Sequence, residues 1–223
     1  MMLLLWVRTK ERVSTCCIPL GIALMLVGGC TIAGKVTPDN MTEMQKEQNV
    51  PIETGTKGFV LREKSNLGGN ARRDFNRAVT LLNINDFNEA IALLQKVVEQ
   101  SPRVTAPYIN IAIAYRKVGK RDLAEEHLKT ALNLFPGHPV ASNEYGLLLR
   151  TAGRFTEARN LYEVAIKKYP DYLPARKNLA ILCDLYLNDQ ECAMKHYEQY
   201  ITDNPGDEQV RLWLSELQLR SRK

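Results

Sequence analysis

Three histidines, five cysteines and the adjacent glycines Gly68 and Gly69 are the residues in this sequence that chemistry would recruit first. The histidines, His127, His138 and His196, have no catalytic or ligand spacing to one another. His127 and His196 read as surface or partly packed groups. Gly68 and Gly69 precede a helical stretch, but they lack the spacing and the lysine of a loop that cradles phosphate. The expectation is therefore a protein that is not an enzyme, with no cofactor and no metal. The cysteines fall in three places. Cys16 and Cys17 lie inside an apolar run, Cys30 follows it, and Cys183 and Cys192 stand far down the chain. What each does depends on the element that carries it.

The first element is a leader. Arg8, Lys10 and Arg12 make a positive start, residues 16–26 are apolar, and Val27, Gly28 and Gly29 lead into Cys30. This is the layout of a secretory signal peptide over residues 1–29, with an apolar core too short for a comfortable membrane span. Leu26-Val27-Gly28-Gly29-Cys30 resembles a bacterial lipobox. That resemblance implies diacylglyceryl transfer to the Cys30 thiol, cleavage after Gly29 and acylation of the new amine. Two or three acyl chains on one residue hold a protein to a bilayer almost permanently, where one would not. Thr31 follows the cysteine at the place where aspartate would resemble an inner-membrane retention signal. The expected address is the outer membrane, lipid-anchored and facing the periplasm. A formal net charge of +5 is too small a bias to argue for nucleic acid as a partner.

Residues 30–69 are polar and rich in Thr, Lys, Glu, Asn and Gly, with no sustained period, and read as a flexible tether. Phe59-Val60-Leu61 is its one apolar cluster. Beyond it the chain repeats. Pro102, Pro136 and Pro170 recur at one interval, and Pro205 follows one residue later than that interval would place it. Ala90, Ala124, Ala158 and Ala193 keep the same register, as do Ala78, Ala112, Gly146 and Ala180. A period of about 34 residues with two small residues and a terminal proline resembles the tetratricopeptide repeat, or TPR. The resemblance implies an all-α solenoid of about four helical hairpins over residues 70–206. Each hairpin has a helix A and a helix B that approach closely at the small residues. Gly119 and Gly153, with Asn85 in the first repeat, suit the left-handed turn between them. The extra residue of the fourth repeat falls near Asn188-Asp189. Residues 207–223 read as a capping helix with Val210, Trp213, Leu214 and Leu217 on one face, and a partner-docking helix is the alternative.

The hairpin places Cys183 late in helix A of the fourth repeat and Cys192 early in helix B. Two outcomes stay open, a disulfide in an oxidising periplasm or two buried thiols. The resemblance also implies a partner. In this family residues of helix A line a concave groove, and carried onto this chain they are Phe75, Val79, Ile109, Ile113, Arg116, Lys117, Asn143, Leu147, Arg150, Lys177 and Ile181. Apolar residues among them would floor the groove and the cations would flank it, which suits a protein or peptide partner with apolar anchors and some acidic character. Packing of several of them against neighbouring helices is the competing expectation. Asn110 and Asn178 stand where asparagine is common across the family, and Glu144 holds that place in the third repeat. The expected role is a scaffold in the assembly or stability of an envelope machine such as a pilus, secretin or secretion system. The architecture resembles that of TPR lipoproteins that pilot type IV pilus secretins. The alternative is an adaptor for a periplasmic cell-wall hydrolase or protease. The sequence leaves the oligomeric state open.

Overall fold

The computed structural model describes residues 51–53, 60–62 and 67–221. The leader, Cys30 and most of the expected tether lie outside the described residues. Within the tether two short strands, β1 (Pro51–Glu53) and β2 (Val60–Arg62), pair antiparallel with Ile52 opposite Leu61.

From Gly69 the described residues form nine helices in four hairpins and a remainder. The first two hairpins are α1 (Gly69–Asn83) with α2 (Phe87–Gln100), and α3 (Thr105–Lys117) with α4 (Arg121–Leu134). The next two are α5 (Pro139–Thr151) with α6 (Phe155–Lys168), and α7 (Leu173–Leu185) with α8 (Gln190–Asp203). The ninth helix, α9 (Glu208–Ser221), packs on α8. Each hairpin packs most closely within itself and next against its neighbours, which is how a solenoid is held.

The turn inside each hairpin follows from one left-handed residue. Asn85, Gly119 and Gly153 have φ of 63°, 81° and 77°. Glycine takes this conformation without a Cβ penalty, and asparagine tolerates it. The following amide then reaches back five residues to the end of helix A: Asp86 to Leu81, Lys120 to Tyr115, Arg154 to Leu149. In the fourth hairpin Asn188 has φ 52°, and the Asp189 amide reaches back six, to Cys183. The extra residue is thus absorbed in the turn, and the helices on either side keep their register. The proline that closes a repeat leaves its carbonyl for a side chain six residues on. Tyr108 Oη donates to the Pro102 carbonyl at 3.1 Å and Arg176 Nη2 to that of Pro170 at 3.1 Å. Arg211 repeats the contact with Pro205. Ser142 is too short for it, and Lys168 Nζ serves Pro136 instead at 2.6 Å.

Small residues meet at the crossing of each hairpin. Ala78, Ala90, Ala112, Ala124, Ala158, Ala180 and Ala193 are all at most 1% exposed. A larger residue one helical turn on, Leu94, Leu128, Tyr162 or Tyr197, fills the space that remains and is equally buried. Burial of each such side chain is worth roughly 1.5–3 kcal/mol, so the core is a row of equivalent wedges. Polar staples join one repeat to the next. Glu125 on α4 accepts from Tyr145 on α5 at 2.8 Å and from Arg154, ahead of α6, at 2.9 Å. Burial alone would raise its carboxyl. Hydrogen bonds from Lys129, Arg154 and Tyr145 outweigh that and hold it down at about 2. Arg159 reaches Asp189 of the next hairpin at 3.1 Å.

Candidate partner-binding face

The A helices α1, α3, α5 and α7 touch one another in sequence, and their outward residues form a continuous row. The positions expected to line it are not equally available. Phe75, Ile109 and Asn143 are 7%, 4% and 5% exposed, and belong to the packing between helices. Val79, Ile113 and Ile181 are half-buried against the core, and Leu147 is half-buried. They present only part of each side chain to a partner.

The cations differ more sharply. Arg116 Nη2 pairs with Glu144 Oε2 at 2.9 Å, and Asn143 Nδ2 leans on the same carboxylate at 3.4 Å. Asn178 continues the chain of polar groups, donating to Asn143 Oδ1 at 2.8 Å. Lys177 Nζ pairs with Asp207 Oδ2 at 2.7 Å and lies over the rings of Tyr200 and Trp213. Burial raises the Asp207 carboxyl, but hydrogen bonds from Lys177, the Val210 amide and Tyr200 bring it below its ordinary value. Glu144 and Asp207 thus occupy Arg116 and Lys177 from within the molecule. Lys117 is exposed. Arg150 is the exception of most interest. Its Nε and Nη1 are shut off from water with no acceptor among the described residues, and its Cζ lies 5.8 Å from the centre of the Tyr186 ring.

Sequence reasoning held partner docking as the alternative role of residues 207–223 but placed no cavity there. Between α7 and α9 a cavity of about 560 Å³ opens, walled by Ile181, Leu185, Tyr197, Trp213 and Leu219. Asp184 and Arg220 form an ion pair at its edge, 2.7 Å apart, with Glu216 beside them. The signal was present in the register. Counting from Pro205 as from the earlier prolines puts Leu212 on the place of Lys177, and Leu219 on that of Asp184. Helix α9 therefore stands in the register of a fifth helix A.

The remaining chemistry-bearing groups are engaged in structure. His127 contacts the Leu123 carbonyl through Nδ1 at 2.8 Å, between the rings of Tyr108 and Tyr115. His138 is fully buried and caps α5, its Nδ1 accepting from the Ala141 amide at 3.2 Å. Cys183 and Cys192 are joined as a disulfide across the α7–α8 turn, with Cα atoms 5.9 Å apart. Their sulfurs and the Asp189 carboxylate lie within 4.8 Å of one another, a separation that would suit a metal. Bridged sulfurs offer no thiolate, and Asp189 already caps α8 and pairs with Arg159. On digestion of denatured, unreduced protein in the presence of an alkylating reagent, Cys183 and Cys192 are expected to stay unalkylated. Alkylation at both would exclude the bridge.

The comparisons with known proteins agree with this architecture. Tetratricopeptide repeat families match residues 74–103 and 109–172. A probable UDP-N-acetylglucosamine–peptide N-acetylglucosaminyltransferase, SPINDLY of Solanum lycopersicum, is 32% identical over 109 residues, 47% of this chain. The match spans only 12% of that protein's length and lies in the repeats. The small glutamine-rich tetratricopeptide repeat-containing protein 2 of Mycosarcoma maydis is 28% identical over 95 residues, 43% of this chain and 27% of its own. Among solved structures, PilF of Pseudomonas aeruginosa superposes with a TM-score of 0.64 at 21% identity, over 68% of this chain and 69% of its own. MamA of Desulfovibrio magneticus RS-1 gives 0.61 at 19%, over 70% and 88%. At these identities the likeness is one of fold. Residues 74–103 and 109–172 are tetratricopeptide repeats, and the chain folds as a tetratricopeptide helical-hairpin solenoid.

Proposed function

We propose that this chain is a lipid-anchored TPR scaffold that holds a protein partner on its A-helix row, in the assembly or stability of a cell-envelope machine. The observation that carries the partner is Arg150, a guanidinium on that row with two buried nitrogens and no acceptor. Burying a charge without hydrogen-bond partners is costly; Nε and Nη1 are closed to a partner, but Nη2 is not among the shut-off atoms, and a partner's carboxylate set on it would offset the charge. The anchor rests on the lipobox residues ending at Cys30, with the periplasmic leaflet of the outer membrane as the address. The fold-level likeness to PilF fits a place among pilus proteins without naming the machine.

Affinity capture from solubilised membranes tests both halves. Wild-type protein should carry acyl groups on Cys30 and retain an envelope partner, while Arg150→Glu should lose at least tenfold of the capture, the equivalent of about 1.4 kcal/mol. Arg116→Glu is the poorer test, because it also sets two carboxylates against each other beside Glu144. A partner held equally by Arg150→Glu would remove the row from the argument, and an unmodified Cys30 would remove the anchor. Capture of a cell-wall hydrolase or protease would instead make the protein an adaptor.

A further inference from the structure

Helix α9, the last of the described helices, presents faces of different character. The residues of α9 that a fifth helix B would cover are Arg211, Ser215 and Gln218, by the register that places Tyr108, Ala112 and Tyr115 against α4. They are polar, as a cap requires. The residues that continue the A-helix row are Leu212 and Leu219, 64% and 63% exposed. Leu185 and Tyr186, at the end of α7, are 66% and 47% exposed. Apolar exposure is thus confined to the partner-facing side of the cap and gathers around the cavity between α7 and α9. The closeness of one A helix to the next, kept from α1 to α7, is not kept from α7 to α9. The cavity is the gap that results. Its volume is in the range of sites that take a small ligand or a few side chains.

Charge decides what would fill it. Arg220 neutralises Asp184 at the rim, and Glu216 adds a negative charge there, which turns a partner's carboxylate away from that edge and toward Arg150. Arg150 lies one repeat back from Asp184 on the same row, against Tyr186, and its Nε and Nη1 lack acceptors while Nη2 is left to an outside group. Its charge also bears on Tyr197, which walls the cavity. An apolar recess and an uncompensated guanidinium therefore stand side by side.

We infer that the α7–α9 cavity is the anchor site for an acidic peptide segment of a partner protein, which seats a bulky apolar side chain against Leu219 and Trp213 and sets a neighbouring carboxylate on Arg150. The inference rests on the partner-binding reading above and places its strongest contact at the C-terminal end. An extended or helical segment would serve equally, since either can present an apolar side chain within one turn of a carboxylate.

The test uses the full chain reconstituted in lipid nanodiscs and a random-peptide phage library as the probe. Enriched peptides should share a large aliphatic or aromatic residue close to Asp or Glu. Their affinity should fall at least tenfold with Leu219→Glu and with Arg150→Ala, and recover in part with Arg150→Lys. Leu219 is mostly exposed, so unchanged melting would show that the loss is one of binding. Peptides that respond to Lys117→Glu and Ile113→Gln but not to Leu219→Glu or Arg150→Ala would keep the A-helix row and overturn this site. Enriched peptides without an acidic residue, indifferent to Arg150→Ala, would overturn the stated chemistry. Self-association abolished by Leu219→Glu would give the face to a second copy and overturn it as well. No enrichment on any form would sink both this site and the partner-binding reading.

Discussion

Acidification from pH 7 to pH 4 is expected to cost this protein on the order of 3 kcal/mol through His196, with carboxylates such as Glu125 adding to the loss toward the acid end of that range. His196 sits on α8 with Nδ1 buried and without a hydrogen-bond partner. Burial is the main reason its imidazolium is disfavoured, and the charges of Arg176, Lys195 and Arg159 add to it, against a smaller opposing effect of Glu163. Its pKa is held down at about 4, from 6.5 when unfolded. Between those values the unfolded chain binds a proton that the folded chain refuses. Stability therefore rises with pH across the window and is fully present above pH 6.5. The register supplies the control. The same place in the first and third hairpins is Leu93 and Leu161, and in the second it is His127, whose Nδ1 has the Leu123 carbonyl. His196→Leu should make the fall of the denaturation midpoint between pH 7 and about pH 5 much shallower and leave the midpoint at least as high at neutral pH. An unchanged slope would show that His196 does not govern it.

The array was legible because its determinants are local and repeat. Proline, two small residues and a left-handed turn residue recur at a fixed interval, and each acts within one hairpin. Asn85, Gly119 and Gly153 could be placed in the turns from residue type alone. The groove was less legible because its exposure is decided between hairpins. Arg116 and Glu144 stand 28 residues apart, and Lys177 and Asp207 stand 30 apart. Each looks free until the helices are laid side by side. Phe75, Ile109 and Asn143 occupy groove positions by number, yet neighbouring helices cover them. The cavity beside α9 escaped for a different reason. It depends on how far α9 stands from α7, a separation that no residue pattern within α9 encodes, although docking by this helix was the alternative to a cap.

That register also isolates one residue whose exchange should matter out of proportion to its size. Three hairpins carry alanine at the crossing position of helix A, and the third carries Gly146. Restoring the common residue, Gly146→Ala, should destabilise the protein. Helix propensity alone predicts the opposite, a gain of about 1 kcal/mol. A Cβ on Gly146, however, would lie 2.5 Å from Cε1 and 2.7 Å from Cζ of Tyr162. The ring cannot step aside cheaply, because Tyr162 is fully buried. Overpacking of this kind costs about 1–3 kcal/mol and occasionally more, so it should exceed the propensity gain. The net loss should lower the melting midpoint by several degrees, at roughly 2–4 °C per kcal/mol for a protein of this size. Leucine stands at the place of Tyr162 in the first two hairpins, as Leu94 and Leu128, each with an alanine opposite. Gly146→Ala combined with Tyr162→Leu should therefore recover much of the loss, and the double-mutant cycle should show a favourable coupling above about 0.5 kcal/mol. Additive effects would mean that the ring and the glycine do not constrain each other. The fourth hairpin shows why the cycle is needed: Ala180 and Tyr197 coexist there, both buried, so the conflict belongs to the seating of the Tyr162 ring over Gly146 and not to the residue pair as such.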